Sequence, residues 1–271
     1  MRIGNKVFDT KNETYLMGIL NCTPDSFYDG GKWTDADGAL FHAEEMLNDG
    51  AAIIDVGGES TRPGHRQISE AEEIARTAGL IERIRARLDV PISIDTYKAG
   101  VARAAIDAGA ALVNDIWGLR YDPDMAGLIA ETGVCCCLTH NRESADYADF
   151  FWDMKAELYK TAKAAKKAGI DRDKIILDPG VGFAKSTAQN LACIARIREI
   201  CELGYPVLLG ASNKSCIGET LSLPKEERTE GTLVTTVFGV LGGCAFIRVH
   251  DVKANKRAID MTKALTRYRF R

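Results

Sequence analysis

The sequence predicts an eight-stranded α/β barrel because one short unit recurs along it. In this unit a helical segment ends at a glycine and an apolar strand begins directly after it, and the unit occurs at least six times. Two further apolar runs, at residues 15–20 and 91–95, raise the number of strands to about eight. A chain of 271 residues with a hydrophobic content of 46% is long and apolar enough for a single (β/α)₈ barrel.

Each part of the unit has its own sequence signal. Glycine ends a helix readily because it adopts the left-handed backbone conformation without a Cβ clash. The segments before the glycines carry apolar residues at helical spacing, and one of them is preceded by a capping box, Ser69 with Glu72. The strands are almost continuously apolar, which is typical of parallel strands buried on both faces. The junction glycines are Gly50, Gly109, Gly133, Gly169, Gly204 and Gly243.

Two further points concern the architecture. The first 14 or so residues precede the first barrel strand, and we expect them to form a short hairpin or plug at the barrel floor. No linker or change in composition divides the chain, so residues 1–271 are expected to form one domain. A doubly wound open sheet is the alternative architecture, because the sequence does not show whether the sheet closes.

The charge balance and the cysteines exclude several classes of protein. Lys and Arg number 35 and Asp and Glu number 38, giving a net charge of −3 with both signs interspersed, so a nucleic-acid partner is not expected. There is no signal-peptide core and no run of about 20 apolar residues, which predicts a cytosolic protein without a membrane span. The eight cysteines include no C-x-x-C pair and are expected to be reduced. Cys135, Cys136 and Cys137 are consecutive, and alternation along a strand should place Cys135 and Cys137 on one face and Cys136 on the other.

Polar residues gather where the predicted strands end, and in such a barrel the carboxyl ends of the strands carry the active site. Acidic and amide groups follow the middle strands, while Arg, Lys and His follow the first and last, which predicts a cavity with an anionic and a cationic half. A carboxylate suits a nitrogen-rich heterocycle, and Arg and Lys suit phosphate. For any single Asp or Asn, an equally simple explanation is that polar residues resume wherever a buried strand ends. The strand-end residues are Asn21, Asp55, Asp95, Asn114, Asp115, His140, Asp178, Ser212, Lys214, Arg248 and His250.

Two glycine-rich segments follow these strands. Residues 55–64, DVGGESTRPG, form either a lid over the site or an ordinary surface turn, and the length of the segment and its Arg62 favour the lid. Residues 178–183, DPGVGF, lack the spacing of a P-loop or of a dinucleotide-binding fingerprint. A dinucleotide cofactor is therefore not expected.

Seven phrases, in the same order along the chain, resemble the signature segments of the dihydropteroate synthase family. They are MGILNCTPDSF, IIDVGGESTRPG, ISIDTYK, VNDIWG, LDPGVGFAKS, SNKS and IRVHDV, and the resemblance covers essentially the whole chain. It implies the same barrel fold that the repeating unit predicts. It further implies that p-aminobenzoate displaces pyrophosphate from 7,8-dihydropterin-6-ylmethyl pyrophosphate, in an SN1-like reaction that gives 7,8-dihydropteroate.

The resemblance implies a role for each matching residue. Asp95, Lys214 and Arg248 are implied to be catalytic, with Asp95 stabilising the developing cation. The implied contacts are Asp95, Asn114, Asp178 and Lys214 for the pterin, Asn21, Arg62, Arg248 and His250 for the pyrophosphate, and Phe27, Thr61, Pro63 and Ser215 for p-aminobenzoate. Asn21 is also implied as a ligand of Mg²⁺. The resemblance suggests a homodimer through helices of the barrel wall.

Two positions depart from the family pattern. The family usually has arginine where this chain has Asn213, and often methionine where it has Thr139. If the family arginine contacts substrate, Asn213 should raise the Michaelis constants without abolishing turnover. If that arginine points to solvent or into a neighbouring loop, Asn213 should be neutral.

Two other functions share part of these features. The methyltetrahydrofolate domain of corrinoid methyltransferases has the pterin-binding acids but no use for a pyrophosphate clamp, so Arg62, Arg248 and His250 argue against it. A non-catalytic pterin-binding paralogue is the second alternative. Release of pyrophosphate distinguishes an enzyme from such a protein.

Overall fold

The computed structural model describes residues 1–22, 35–60 and 67–268, and its main sheet is parallel. Two short antiparallel strands, β1 (Arg2–Ile3) and β2 (Lys6–Val7), come first. The parallel strands are β3 (Tyr15–Asn21), β4 (Ala51–Gly57), β5 (Ile92–Asp95), β6 (Leu112–Asp115), β7 (Cys135–Thr139), β8 (Ile175–Asp178), β9 (Leu208–Leu209) and β10 (Phe246–Val249). The helices are α1 (Asp35–Asn48), α2 (Glu70–Arg87), α3 (Ala99–Ala108), α4 (Met125–Thr132), α5 (Phe150–Lys167), α6 (Thr187–Ala195), α7 (Ile197–Cys201), α8 (Ser215–Leu221), α9 (Thr229–Gly242) and α10 (Val252–Thr266).

Strand pairing shows that the sheet closes into a barrel. The strands follow the order β8-β7-β6-β5-β4-β3-β10-β9, and a parallel bridge between Leu177 of β8 and Val207, next to β9, joins the two ends. The predicted barrel is therefore confirmed, and the open sheet does not describe this chain. The junction glycines named above all have positive φ angles, as expected of residues that end helices. Within the described ranges, no helix is long and apolar enough to cross a membrane.

Alternation along the strands divides the apolar residues into two layers. Cys135 and Cys137 belong to the cluster inside the barrel, together with Met17 and Ile53. Cys136 belongs to the outer layer, between the strands and the helices. The predicted alternation of the three cysteines is confirmed, and all eight cysteines are free.

The amino-terminal hairpin fills the floor of the barrel, as predicted. Ile3 and Phe8 are buried in the interior cluster, where Phe8 packs edge-on against Phe246 at a centroid distance of 5.7 Å. Cys135, the first residue of β7, has its Sγ 3.2 Å from the carbonyl oxygen of Arg2. This contact places the hairpin at the amino ends of the strands, so the opposite end of the barrel remains for a site.

Candidate active site

Arg248 joins two acidic strand ends inside the barrel. Its Nε donates to Asp55 Oδ2 and its Nη2 to Asp95 Oδ2, each at 2.5 Å. Both aspartates are buried, and their carboxylates extend from β4 and β5. Arg248 lies on β10, which β3 separates from β4. The anionic and cationic halves expected from the sequence therefore meet at Arg248 and are not separate regions.

Two carboxylate oxygens of this cluster lack a hydrogen-bond partner in the described part of the chain. Asn114 Nδ2 donates to Asp55 Oδ2 at 3.2 Å, so that oxygen has two donors. In contrast, Asp55 Oδ1 and Asp95 Oδ1 are buried without a donor among the described residues, as is Ser93 Oγ. Buried polar atoms are almost always satisfied in folded proteins. These atoms therefore indicate a ligand that donates hydrogen bonds.

Strand register sets several of the predicted residues at one level. Asn21 pairs with Gly57, Gly57 with Asp95, and Asp95 with Asn114. Gly57 contributes no side chain to this row. A Cβ added there would lie 3.6 Å from Asp95 Cβ and 3.9 Å from Asn21 Oδ1. The amide oxygen of Asn21 and the Asp95 side chain therefore flank the same gap.

The turn after β8 holds Asp178. The Asp178 Oδ1 accepts a hydrogen bond from the backbone N–H of Gly180 at 2.7 Å. Gly180 has a φ of 70°, and a Cβ there would lie 1.9 Å from the carbonyl oxygen of His140. Only glycine fits at this position, both for the backbone conformation and for the space. The DPGVGF segment is thus a tight turn that fixes a carboxylate.

Lys214 adds a second basic side chain to the cluster that contains Asp95, Asp178 and Arg248. It follows β9, and its Nζ lies 4.3 Å from the centre of the Phe183 ring, at cation–π distance. Its charge also interacts with Arg248, Asp178 and Asp95. Phe183 was not predicted as a site residue. The available sequence signal was its place in a glycine-rich turn at the carboxyl end of a strand.

His250 lies beside Arg248 in sequence and is held by Ser212. The Ser212 Oγ is 2.9 Å from His250 Nδ1, and the backbone N–H of His250 donates to the same Oγ at 3.3 Å. Ser212 follows β9 and His250 follows β10, so the two contacts join neighbouring strand ends. This pairing fixes the imidazole at the mouth of the barrel.

Burial shifts the pKa values of the charged groups in the barrel. It raises the pKa of Asp95 to about 7, although Arg248 opposes this shift, and it raises the pKa of Asp178. Burial and the Arg248 charge lower the pKa of Lys214 to about 8. Burial also opposes the charge of Arg248, but Asp55 and Asp95 outweigh it and raise the Arg248 pKa. The cluster therefore contains three acidic side chains, Asp55, Asp95 and Asp178, and two basic ones, Lys214 and Arg248.

Four predicted substrate residues lie outside the described ranges: Phe27, Thr61, Arg62 and Pro63. Residues 61–64 of the segment predicted to form a lid lie there too. Ser215, the remaining residue predicted for p-aminobenzoate, is exposed and is the first residue of α8, directly after Lys214.

A buried lysine that the sequence did not single out supports the turn after β8. Lys185 Nζ lies 2.9 Å from His140 Nδ1 and donates to the carbonyl oxygens of Gly180 and Phe183, each at 3.0 Å. An ammonium only donates, so His140 Nδ1 accepts and its Nε2–H donates to Glu157 Oε2 at 2.9 Å. Burial and the Lys185 charge lower the pKa of His140 to about 3. His140 is therefore a neutral support for this turn.

Two further strand-end residues have simpler roles. Asp115 accepts hydrogen bonds from the backbone N–H groups of Trp117 at 2.8 Å and Leu119 at 2.6 Å, so it stabilises a turn. Thr139, at a position where the family often has methionine, is buried and pairs with Asp178 across β7 and β8. Thr139 is therefore next to a residue predicted to bind the pterin.

Asn213 faces α9. Its Oδ1 accepts a hydrogen bond from Thr232 Oγ1 at 3.3 Å, and its backbone N–H donates to the same hydroxyl at 3.1 Å. Its carbonyl oxygen accepts a hydrogen bond from Arg228 Nη1 at 3.1 Å. Its φ is 56°, in the left-handed region that asparagine tolerates better than most residues. These contacts favour the neutral interpretation of this departure.

We expect Asn213→Arg to leave both Michaelis constants unchanged and to lower stability by about 1 to 2 kcal/mol, because arginine is strained in the left-handed conformation and loses the Thr232 contact. Steady-state kinetics and thermal unfolding measure the two effects. A lower Michaelis constant for either substrate in Asn213→Arg would contradict the expectation and place position 213 in the substrate site.

The chain matches a family of known proteins over most of its length. Residues 17–250 match the family model described as pterin binding enzyme. The chain is 53% identical to the dihydropteroate synthase of Clostridium beijerinckii, over 98% of this chain and 100% of that protein.

Solved structures agree with this sequence match. A dihydropteroate synthase from Clostridium difficile, solved in the presence of pteroic acid, superposes with a TM-score of 0.93 at 46% identity, covering 96% of this chain and 100% of that chain. The dihydropteroate synthase of Xanthomonas albilineans in complex with 7,8-dihydropteroate superposes with a TM-score of 0.87 at 37% identity, covering 94% of each chain.

Proposed function

The chain belongs to the dihydropteroate synthase family and joins a dihydropterin pyrophosphate to p-aminobenzoate, and we propose that its barrel cluster does so by stabilising a pterin cation. The observation that supports this proposal is the pair of buried carboxylate oxygens on Asp55 and Asp95 that have no hydrogen-bond donor among the described residues. The carboxyl groups of Asp55, Asp95 and Asp178 in one cavity also suit a ligand that develops positive charge. The methyltransferase and non-catalytic alternatives are not favoured, because relatives of 52% and 53% identity are dihydropteroate synthases.

The pterin is assigned to the inner part of the cavity. Asp95, Asn114, Asp178 and Lys214 are the residues proposed to contact it. The N–H groups of its pyrimidine edge suit carboxylate oxygens, and paired hydrogen bonds to a charged acceptor are the strong ones. Asp178 Oδ1 accepts a hydrogen bond from the Gly180 N–H. This contact fixes the carboxyl group, and Oδ2 is the oxygen proposed to accept from the pterin.

The pyrophosphate is assigned to the mouth, where Arg62, Arg248 and His250 would contact it together with Asn21. Arg248 and His250 are separated by one residue at the end of β10. Arg248 already donates from Nε to Asp55 and from Nη2 to Asp95, so its three remaining N–H groups, on Nη1 and Nη2, are the ones proposed to donate to phosphate oxygens. Phe27, Thr61, Pro63 and Ser215 are the residues proposed for p-aminobenzoate, next to this mouth.

In the proposed reaction, the bond between the pterin methylene carbon and the pyrophosphate oxygen breaks first, and its electron pair leaves with the pyrophosphate. Asp95, ionised, stabilises the resulting cation, while Arg248 and Lys214 stabilise the departing anion. The nitrogen lone pair of p-aminobenzoate then forms the new bond to carbon, and the nitrogen loses one proton to water. No buried general base is required, since an arylamine attached to the product carbon is a strong acid until that proton leaves.

Positional isotope exchange tests the order of these steps. Dihydropterin pyrophosphate carrying ¹⁸O in the carbon–oxygen–phosphorus bridge is incubated with the enzyme at a low concentration of p-aminobenzoate, and the unreacted substrate is examined by ³¹P NMR. The proposal predicts that the label moves into non-bridging positions, because the freed pyrophosphate can recombine with the cation. A label that stays in the bridge while product forms indicates direct displacement instead.

The pH dependence of kcat/KM should follow Asp95 and Lys214. Asp95 must be ionised, and its pKa of about 7 means that activity rises as the pH rises through 7. Lys214 must be charged, and its pKa of about 8 means that activity falls as the pH rises through 8. We therefore expect a bell-shaped profile that is highest between these values. In Asp95→Asn the acidic limb should disappear, and an acidic limb that persists unchanged would contradict the assignment.

Magnesium is proposed to accompany the pyrophosphate at Asn21. The donor set fits, because Asn21 offers an amide oxygen beside the Asp95 side chain, and Mg²⁺ takes few protein ligands and completes its shell with phosphate and water. The described residues contain no group of three or more His, Cys, Asp or Glu side chains suited to a metal ion. When bound, Mg²⁺ would supply positive charge to the pyrophosphate oxygens.

Removal of divalent cations is therefore expected to abolish turnover, and Asn21→Ala should weaken it in a way that high Mg²⁺ partly restores. The physical reason is that an amide alone does not neutralise a pyrophosphate. Initial rates across a Mg²⁺ titration in both proteins give the measurement, with Asn213→Ala as a control outside the metal site. Activity that is undiminished in excess chelator contradicts this role.

A homodimer is proposed through α9 and α10. Val234, Phe238, Met261 and Leu265 on these helices are between 45% and 60% exposed, and a largely apolar cavity of about 490 Å³ lies between the helices. A second copy that presents the same face would bury this surface in an isologous interface. Light scattering should give twice the chain mass of 29.6 kDa, and Met261→Lys should give the single mass. A wild-type protein of 29.6 kDa contradicts the dimer.

A cytosolic location is proposed as well. All eight cysteines are free, as in proteins of reducing compartments.

A further inference from the structure

Lys185 joins the turn after β8 to the end of β7. Its Nζ donates to the carbonyl oxygens of Gly180 and Phe183 within the turn, each at 3.0 Å. The same Nζ lies 2.9 Å from Nδ1 and 3.3 Å from the carbonyl oxygen of His140, the residue directly after β7. An ammonium has three N–H groups, and four acceptors surround this one, so its donors are used within the protein.

Other side chains support the same turn. Ala184 has a φ of 43°, and a residue with a Cβ keeps this left-handed conformation only where the surrounding contacts determine it. Its carbonyl oxygen accepts a hydrogen bond from the Tyr147 hydroxyl at 3.0 Å. Asn190 accepts from the Gly182 N–H at 2.7 Å and donates to the carbonyl oxygen of Lys185 at 3.2 Å. The conformation of the turn is therefore set by side-chain contacts.

The turn contacts two charged groups of the site. Asp178 Oδ1 accepts from the Gly180 N–H at 2.7 Å. The Phe183 ring centre lies 4.3 Å from Lys214 Nζ. A Cβ added at Gly182 would lie 2.8 Å from Lys214 Cδ, so this lysine packs directly against the backbone of the turn. A shift of the turn would therefore move both the carboxylate and the ammonium.

Stability alone does not account for a lysine at this place. Burial lowers the pKa of Lys185 to about 8, so the protein holds the ammonium at a cost in solvation. What the ammonium provides is a defined geometry, because its hydrogen bonds bring carbonyl oxygens of the turn and the imidazole of His140 to one point.

We propose that Lys185 is a positioning residue for pterin binding, which sets the places of Asp178 and Lys214 by holding the turn between them against the end of β7. The inference rests on the proposed assignment of Asp178 and Lys214 to the pterin. It assigns no contact with substrate to Lys185 itself. No residue proposed for p-aminobenzoate belongs to this turn, so the effect should fall on the pterin.

The test compares Lys185→Met with Lys174→Met. Lys174 lies directly before β8 and donates to the carbonyl oxygen of Gly133, so it is a matched lysine at the opposite end of the same strand. Titration calorimetry with the dihydropterin alcohol, which lacks the pyrophosphate, should show a Kd raised about 10- to 100-fold in Lys185→Met and unchanged in Lys174→Met. The Michaelis constant for p-aminobenzoate, at saturating dihydropterin pyrophosphate, should stay within about threefold of the wild-type value in both variants. Lys185→Arg should recover part of the lost pterin affinity.

A double-mutant cycle separates this inference from the pterin assignment of Asp178. If Lys185 acts through the turn, Lys185→Met should raise the pterin Kd by a smaller factor in Asp178→Ala than in the wild type. Native affinity in Asp178→Ala refutes the pterin assignment, whereas an impaired Asp178→Ala beside a native Lys185→Met refutes the positioning role alone. Equal factors in the two backgrounds, or a p-aminobenzoate Michaelis constant that rises as much as the pterin Kd, also refute it. Lys185→Gln, which keeps an amide donor, provides the same comparison if Lys185→Met does not fold.

Discussion

Arg248→Met should lower kcat/KM about 100- to 1000-fold, the largest loss that we expect from a single side chain of the cluster. Arg248 contacts both Asp55 and Asp95 at 2.5 Å, and it is also a residue proposed to stabilise the departing pyrophosphate. Its charge lowers the pKa of Asp95. Without it, Asp95 should be largely protonated at neutral pH and unable to stabilise a cation. Steady-state kinetics between pH 6 and about pH 9 measure both effects.

Arg248→Lys is the matched control, because lysine keeps the charge but not the two-pronged contact. We expect an intermediate loss of kcat/KM and an acidic limb close to that of the wild type. Thermal unfolding of both variants confirms that the barrel is intact. A kcat/KM in Arg248→Met within about threefold of the wild-type value would contradict a catalytic role for this residue.

The second large effect concerns pterin binding. Asp178→Ala removes a buried carboxylate and also leaves the Gly180 N–H without its acceptor. We expect a loss of about 2 to 4 kcal/mol of pterin affinity, which corresponds to a rise of about 30- to 1000-fold in Kd. Lys214→Ala should cause a loss of similar size. Titration calorimetry with the pterin gives the measurement directly.

Asp178→Asn separates the two contributions in that variant. Its amide oxygen can still accept from Gly180, so the turn is retained while the charge is lost. A pterin affinity in Asp178→Asn close to that of Asp178→Ala shows that the charge contacts the ligand. Near-native affinity in both Asp178→Ala and Lys214→Ala would remove these residues from the pterin site.

The barrel was predictable because its signals are local. A glycine that ends a helix and an apolar strand that follows are short-range features, and their repetition gave the number of strands. Closure was not predictable in the same way. It depends on the pairing of β10 with β3, which come from opposite ends of the chain, and on a single bridge between Leu177 and Val207 beside the two-residue strand β9.

The candidate site was predictable to a similar degree. Asp95, Asn114 and Asp178 end strands, and the carboxyl ends of parallel strands meet at one end of a barrel, so their proximity followed from the fold. The pairing of Arg248 with the acids did not follow, because a long side chain has many rotamers and its partner is set by tertiary structure. Lys185 was missed because its contact with the imidazole of His140, which follows a different strand, is likewise set by tertiary structure.

The most direct test of the account is the stoichiometry of the reaction. The protein is mixed with dihydropterin pyrophosphate, p-aminobenzoate and Mg²⁺, and pyrophosphate and dihydropteroate are measured over time, with Arg248→Met as the control. The account predicts equal amounts of both products from the wild type and far less of each from the variant. Binding of the pterin without release of pyrophosphate would contradict it and indicate a non-catalytic pterin-binding protein.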